Sequence, residues 1–212
     1  MLKVNDLHKS YQVGKTTYEV LKGVSFEIAK GEFVAVMGPS GSGKTTLLNC
    51  ISCYIPADKG SIMLGKTELA RLSEEQLATV RNRELGFVFQ DFLLLDGLSV
   101  RDNILLPAII GGTVDPDTER RAEELCHIFG ISAIEEKYPA EISGGEKQRI
   151  ACASAWAMGP EVFVLDEPSS NLDGEGIRQL RDILRRLKAA GKTVLVAEHR
   201  LWYAADLADR VF

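Results

Sequence analysis

Eight residues, Gly38-Pro39-Ser40-Gly41-Ser42-Gly43-Lys44-Thr45, fit the pattern Gly-x-x-x-x-Gly-Lys-[Ser/Thr] without a mismatch and constrain the fold more than any other stretch. Glycines let a backbone wrap a phosphate chain with its N–H groups pointing inward, and a following helix adds the positive end of its dipole. Such a loop needs a buried strand before it and a helix after it. Phe-Val-Ala-Val-Met at 33–37 is a short continuous apolar run of the kind found in strands buried on both faces. A helical pattern starts near Gly43 and runs to about Ser52. In that setting Lys44 reaches the outer phosphates and the Thr45 hydroxyl takes a coordination place on Mg²⁺, with Thr46 completing the set of contacts.

The rest of the chain switches repeatedly between strand and helix periods, which predicts an α/β architecture. Strands are expected at 20–28, 60–64, 86–89, 162–165 and 193–197. A helix at 73–83 has Ser73 as N-cap and Gln76 at capping-box spacing. Another at 115–129 has Pro116 in its first turn and Gly130 as its stop. Ser143 caps a third that ends before Gly159-Pro160, and a fourth spans about 174–190. Residues 92–158 are largely helical between strand-rich flanks and read as an inserted helical subdomain.

A second chemical feature is Val162-Phe163-Val164-Leu165-Asp166-Glu167, a strand ending in two acids. Seen alone, such a pair is a solvated strand end. Beside the phosphate loop it matches a metal-and-water site, with Asp166 holding Mg²⁺ and Glu167 orienting the attacking water. Together the two motifs define a P-loop nucleotide triphosphatase. Ile142-Ser143-Gly144-Gly145-Glu146-Lys147-Gln148-Arg149 reads either as a Ser-capped helix or as a second anion site without a lysine.

With that segment in place, the whole chain resembles the ATP-binding cassette (ABC) family, whose Leu-Ser-Gly-Gly-[Gln/Glu] motif is matched here except for Ile142. The resemblance implies a mixed core sheet flanked by helices, an antiparallel β subdomain, and one nucleotide-binding domain over 1–212. It also implies roles for further residues. Tyr11 matches the aromatic that stacks on adenine, Gln90 the glutamine that touches Mg²⁺ and water, Asp173 the end of the Ser-Asn-Leu-Asp loop, and His199 the switch histidine on the γ-phosphate. In relatives the Ser-Gly-Gly element of one subunit covers ATP bound by another. Ser143, Gly144 and Gly145 are therefore expected to act in trans within a head-to-tail dimer. ATP and Mg²⁺ are the implied cofactors, ATP hydrolysis the implied activity, and a separate membrane permease the implied partner.

Two subfamily likenesses coexist. The segments 18–24, 81–90 and 103–107 resemble ATPases of lipoprotein-releasing, macrolide-efflux and bacitracin-resistance transporters. The segments 150–173, 197–201 and 208–211 resemble energy-coupling-factor ATPases of vitamin and metal uptake. The first likeness covers most of the permease-facing region, which favours export or extraction of a peptide, lipoprotein or drug. A nucleotide-responsive clamp on a membrane partner, with little turnover, is a further alternative. Relatives continue beyond Ala208-Asp209-Arg210-Val211 into another strand, so the resemblance implies truncation at the C-terminus.

Composition narrows the partners. The 212 residues include 25 basic and 30 acidic side chains, a net charge of −5, which argues against nucleic acid. The longest apolar run, 104–110, contains Pro107 and is far shorter than the roughly 20 residues a spanning helix needs. A cytoplasmic chain held on the inner face of the membrane by its permease is the expectation. Cys50 and Cys53 form a C-x-x-C without a second pair at metal-site spacing, and read as small apolar helix residues.

Overall fold

The computed structural model describes residues 2–212. Two sheets organise it. The first is antiparallel, in the order β2-β1-β4-β5, from β1 (Leu2–Val13), β2 (Thr16–Ile28), β4 (Lys59–Leu64) and β5 (Thr67–Glu68). The second runs β6-β7-β8-β3-β9, from β3 (Phe33–Met37), β6 (Leu85–Val88), β7 (Val162–Asp166), β8 (Thr193–Glu198) and β9 (Arg210–Val211). All pairings described in this second sheet are parallel. The sequence led us to expect a mixed core sheet. Antiparallel pairing is instead confined to the first sheet, because the helices between β3 and β6, β6 and β7, and β7 and β8 return the chain in the same direction, as do the turns between β8 and β9.

Alternation along the core strands assigns two faces. Phe33, Ala35, Phe163, Leu165, Val194 and Val196 pack into one apolar cluster with the helices. Val34, Val162, Val164, Leu195 and Ala197 face the other way, toward the antiparallel sheet and α1 (Lys44–Ile51). A strand buried on both sides reads as an unbroken apolar run, which is why these were visible in the sequence.

The helices follow their caps. Ser73 closes a capping box with Gln76 on α2 (Glu74–Arg83). α3 (Val100–Ile110) is capped by Ser99 and carries Pro107 internally. α4 (Pro116–Phe129) starts at Asp115, whose carboxylate accepts the Thr118 N–H at 2.8 Å, and stops at Gly130, a left-handed residue with φ 64°. Ser143 and Glu146 cap α5 (Gly144–Ala157), and Asp173 caps α6 (Gly174–Ala189). Within 92–158, Ile104 of α3, Phe129 of α4 and Ile150 of α5 join the same cluster as Phe163 of the core sheet. Ile150 is fully buried there. Ile150→Ala should lower the free energy of unfolding by about 2–5 kcal/mol, the cost of lost transfer energy plus a cavity. Urea denaturation checks this, and a loss under about 1 kcal/mol would mean that α5 is not part of the central core.

The four cysteines are free thiols. Burial pushes Cys50 and Cys53 up to about 11, which leaves both protonated at neutral pH. No described helix is long and apolar enough to cross a membrane.

Candidate nucleotide site

Three strand ends of the parallel sheet meet at one edge. β3 delivers the glycine-rich loop, β7 delivers Asp166 and Glu167, and β8 leads into His199. Carboxyl ends of parallel strands are where α/β folds build ligand sites.

The loop's glycines are used structurally. Gly41 and Gly43 lie at φ 77° and 95°, the left-handed region that side chains rarely adopt. A Cβ on Gly43 would come within 2.9 Å of the Val20 side chain, so β2 presses directly against the loop. Lys44 is inside the loop with only 5% of its side chain exposed. Its ammonium donates to the carbonyls of Gly38 at 2.9 Å and Pro39 at 3.2 Å, and lies 3.4 Å from Glu167 Oε1. Phosphate oxygens would compete for this same ammonium.

Asp166 is 4% exposed, and burial pushes its carboxyl above the usual range while a hydrogen bond from Thr45 opposes the rise. Its Oδ1 is buried with no hydrogen-bond partner. An orphaned carboxylate oxygen beside a hydroxyl is a hard, oxygen-only donor set, which fits Mg²⁺.

Glu167 adopts φ 43°, a left-handed conformation that costs a non-glycine residue about 1–3 kcal/mol and persists only when its surroundings impose it. Its N–H donates to the Ala197 carbonyl at 2.9 Å, and its own carbonyl accepts the Ser170 N–H at 3.0 Å. The result aims Oε1 at both Lys44 and His199, whose Nε2 is 2.8 Å away. Lys44, Glu167 and His199 are thus assembled by direct contacts, with Thr45 and Asp166 adjacent to them in the chain.

The other anticipated residues sit around this centre rather than in it. Tyr11 is 41% exposed on β1, paired with Tyr18 of β2, two residues before the Val20 that abuts the loop. Gln90 is exposed just past β6, and its carbonyl accepts the Asn171 side-chain N–H at 3.1 Å. Ser143 spends its hydroxyl on the capping box, donating to Glu146 Oε2 at 2.7 Å and accepting the Glu146 N–H at 3.3 Å. The N–H groups of Gly144 and Gly145, in the first turn of α5, have no intrahelical acceptors. They line a separate hollow of about 380 Å³ with Arg149, Asn171, Asp173 and Gln179. Asp173 caps its own helix, accepting the Gly176 N–H at 2.8 Å.

Two residues here were not anticipated. Glu198 ends β8 at 2% exposure, and Tyr203 is equally buried with its hydroxyl 2.6 Å from Glu198 Oε1. The available signal was an acid continuing an otherwise apolar strand, one residue before the histidine.

A glycine-rich loop with an enclosed lysine, a buried aspartate with an unpartnered oxygen, and a strained glutamate held between that lysine and a histidine define a nucleoside triphosphatase of the P-loop class. The kind follows from its relatives. Residues 21–170 match the ABC transporter family, and the chain belongs to that family. It is 40% identical over 211 residues to the lipoprotein-releasing system ATP-binding protein LolD 1 of Rhodopirellula baltica, covering 99% of this chain and 92% of that one. It is also 40% identical to the bacitracin export ATP-binding protein BceA of Halalkalibacterium halodurans, over 100% of this chain and 83% of that one. Among solved structures, the cassette MJ0796, a dimer bound to ADP and Pi in a post-hydrolysis state, superposes with TM-score 0.89 at 33% identity. That match covers 96% of this chain and 90% of the other. The protein is an ATP-binding, ATP-hydrolysing subunit of the ABC transporter type.

Proposed function

We propose that this chain drives a separate membrane permease by closing as a head-to-tail dimer on two ATP molecules, in the service of export or extraction. The observation that carries the reading is a division of labour between two separate places. Lys44, Glu167 and His199 form one anion-facing centre, while the free amides of Gly144 and Gly145 line a different hollow without a lysine. Each half is incomplete, and a second copy supplies what the first lacks.

In this reading the backbone of Gly38, Pro39, Ser40, Gly41, Ser42 and Gly43 cradles the phosphates, with Lys44 and Thr46 among the contacts. Tyr11 stacks on the base. Thr45, Asp166 and Gln90 would hold Mg²⁺, which would supply neutralisation of phosphate charge. Glu167 accepts the proton of the attacking water, and His199 fixes the orientation of that carboxylate. Ser143, Gly144 and Gly145, with Asp173, complete the site from the partner subunit. Catalysis of this kind is positioning and charge neutralisation, so a lone subunit is a poor enzyme.

The permease is supported by a groove of about 380 Å³ between β6, α3 and α5. Phe87, Phe89, Leu94, Leu106 and Pro107 line it, apolar enough for an amphipathic helix of a membrane partner. Ile109 and Ile110, 51% and 73% exposed, extend the apolar surface beside it. Such a partner would hold the chain on the cytoplasmic face of the membrane. The export reading rests on the relatives LolD 1 and BceA, which align over nearly the whole chain, including the segments 150–173, 197–201 and 208–211 that resemble uptake ATPases.

Steady-state ATPase activity measured against protein concentration tests the dimer. Specific activity should climb with concentration and level off once dimers dominate. A specific activity that is constant from the lowest concentrations, in a chain that stays monomeric with ATP, would refute action in trans.

A further inference from the structure

We propose that Glu198 and Tyr203 form a positioning pair that sets the loop carrying Glu167 against the loop carrying His199. This rests on the roles given above to Glu167 and His199 and extends them to the groups that hold the two in register.

The geometry is a bridge through one oxygen. Glu198 Oε1 accepts the Tyr203 hydroxyl at 2.6 Å and the backbone N–H of Ser169 at 3.1 Å. Ser169 lies two residues beyond Glu167, on the short turn that forces Glu167 into its left-handed conformation. Glu198 lies immediately before His199. The turn is therefore tied to β8 at two points, Glu167 N–H on the Ala197 carbonyl and Ser169 N–H on Glu198. Removing the second tie leaves a strained residue held by the first alone.

Tyr203 is what keeps Glu198 in place. Burial pushes its phenol far above the ordinary range, so it stays a donor. Its ring sits in the main apolar cluster, and its carbonyl accepts Arg181 of α6, which also pairs with Asp206 at 2.8 Å. The pair is thus anchored to the helix that starts at Asp173. Neither side chain faces solvent, and a carboxyl is a costly group to bury without a task.

Tyr203→Phe deletes the hydroxyl and keeps the ring in the core. Measured with the full chain at dimer-forming concentration, kcat for ATP should fall about tenfold while KM for ATP stays within about twofold. In a His199→Ala background the same change should cost almost nothing further, because its effect passes through His199 and Glu167. Glu198→Gln keeps an oxygen that accepts both hydrogen bonds and should retain most of kcat. Glu198→Leu should lose at least as much as Tyr203→Phe. An unchanged kcat per folded molecule in Tyr203→Phe, with only a lower Tm, overturns the pair. So does an equal fall in the His199→Ala background. Glu167→Gln run alongside separates the two claims. Retained turnover there overturns the reading of the site itself, whereas lost turnover there with full turnover in Tyr203→Phe overturns the pair alone.

Discussion

Glu167→Gln should lower ATP turnover by about 10²–10⁴-fold, the usual contribution of a positioned general base, while ATP still binds. Glutamine keeps the shape of the side chain and an oxygen to accept from His199, now 2.8 Å away. It loses the charge and the basicity. The charge matters twice. In the proposed role it polarises water during the reaction, and beforehand it would compete with phosphate for the Lys44 ammonium at 3.4 Å. Removing it therefore weakens the chemistry and frees Lys44 for the nucleotide, so bound ATP should persist and dimers accumulate. Size-exclusion chromatography with light scattering should find a stable ATP-dependent dimer of the variant. Turnover within about tenfold of the unmodified chain would take Glu167 out of the chemistry.

The parts of this site that were legible in the sequence are those whose chemistry is local. A loop that must wrap phosphate needs its glycines and lysine at fixed spacing, and Asp166 and Glu167 must follow a buried strand, so each motif shows within a few residues. Helices with side-chain caps were equally visible. Ser73, Asp115 and Ser143 each accept the N–H three residues on, and each marks a helix start in the sequence. β1 was missed because its register with β2 is interrupted between Val4 and Leu7 and again nearby. Bulges of this kind destroy the period-two signal, and much of the hairpin is exposed on both faces. α3 was seen only as part of a helical stretch. Pro107 hid its continuity, because a proline inside a helical pattern reads as a break. What no local pattern could give is the contact between Glu198 and Ser169, 29 residues apart, because only the parallel pairing of β7 and β8 brings the two loops together.

Lys44→Ala should remove tight nucleotide binding, and with it turnover. Truncating one partner of a buried, hydrogen-bonded charge pair costs about 2–5 kcal/mol, which translates to roughly thirtyfold to several thousandfold in affinity. Lys44 belongs at the upper part of that range for a reason specific to its position. Its ammonium holds the Gly38 and Pro39 carbonyls from inside the loop, so alanine removes the phosphate's cation and the brace that shapes its cradle together. Arginine is no substitute, since a planar guanidinium cannot occupy the space of a compact ammonium enclosed to 5% exposure. Calorimetric titration with ADP, which needs no turnover, reads the effect directly. Affinity within about threefold of the unmodified chain would mean that the phosphates lie elsewhere. The two variants then fail in opposite ways, Glu167→Gln holding ATP without consuming it and Lys44→Ala never holding it. That contrast separates the cradle from the base although the two side chains touch.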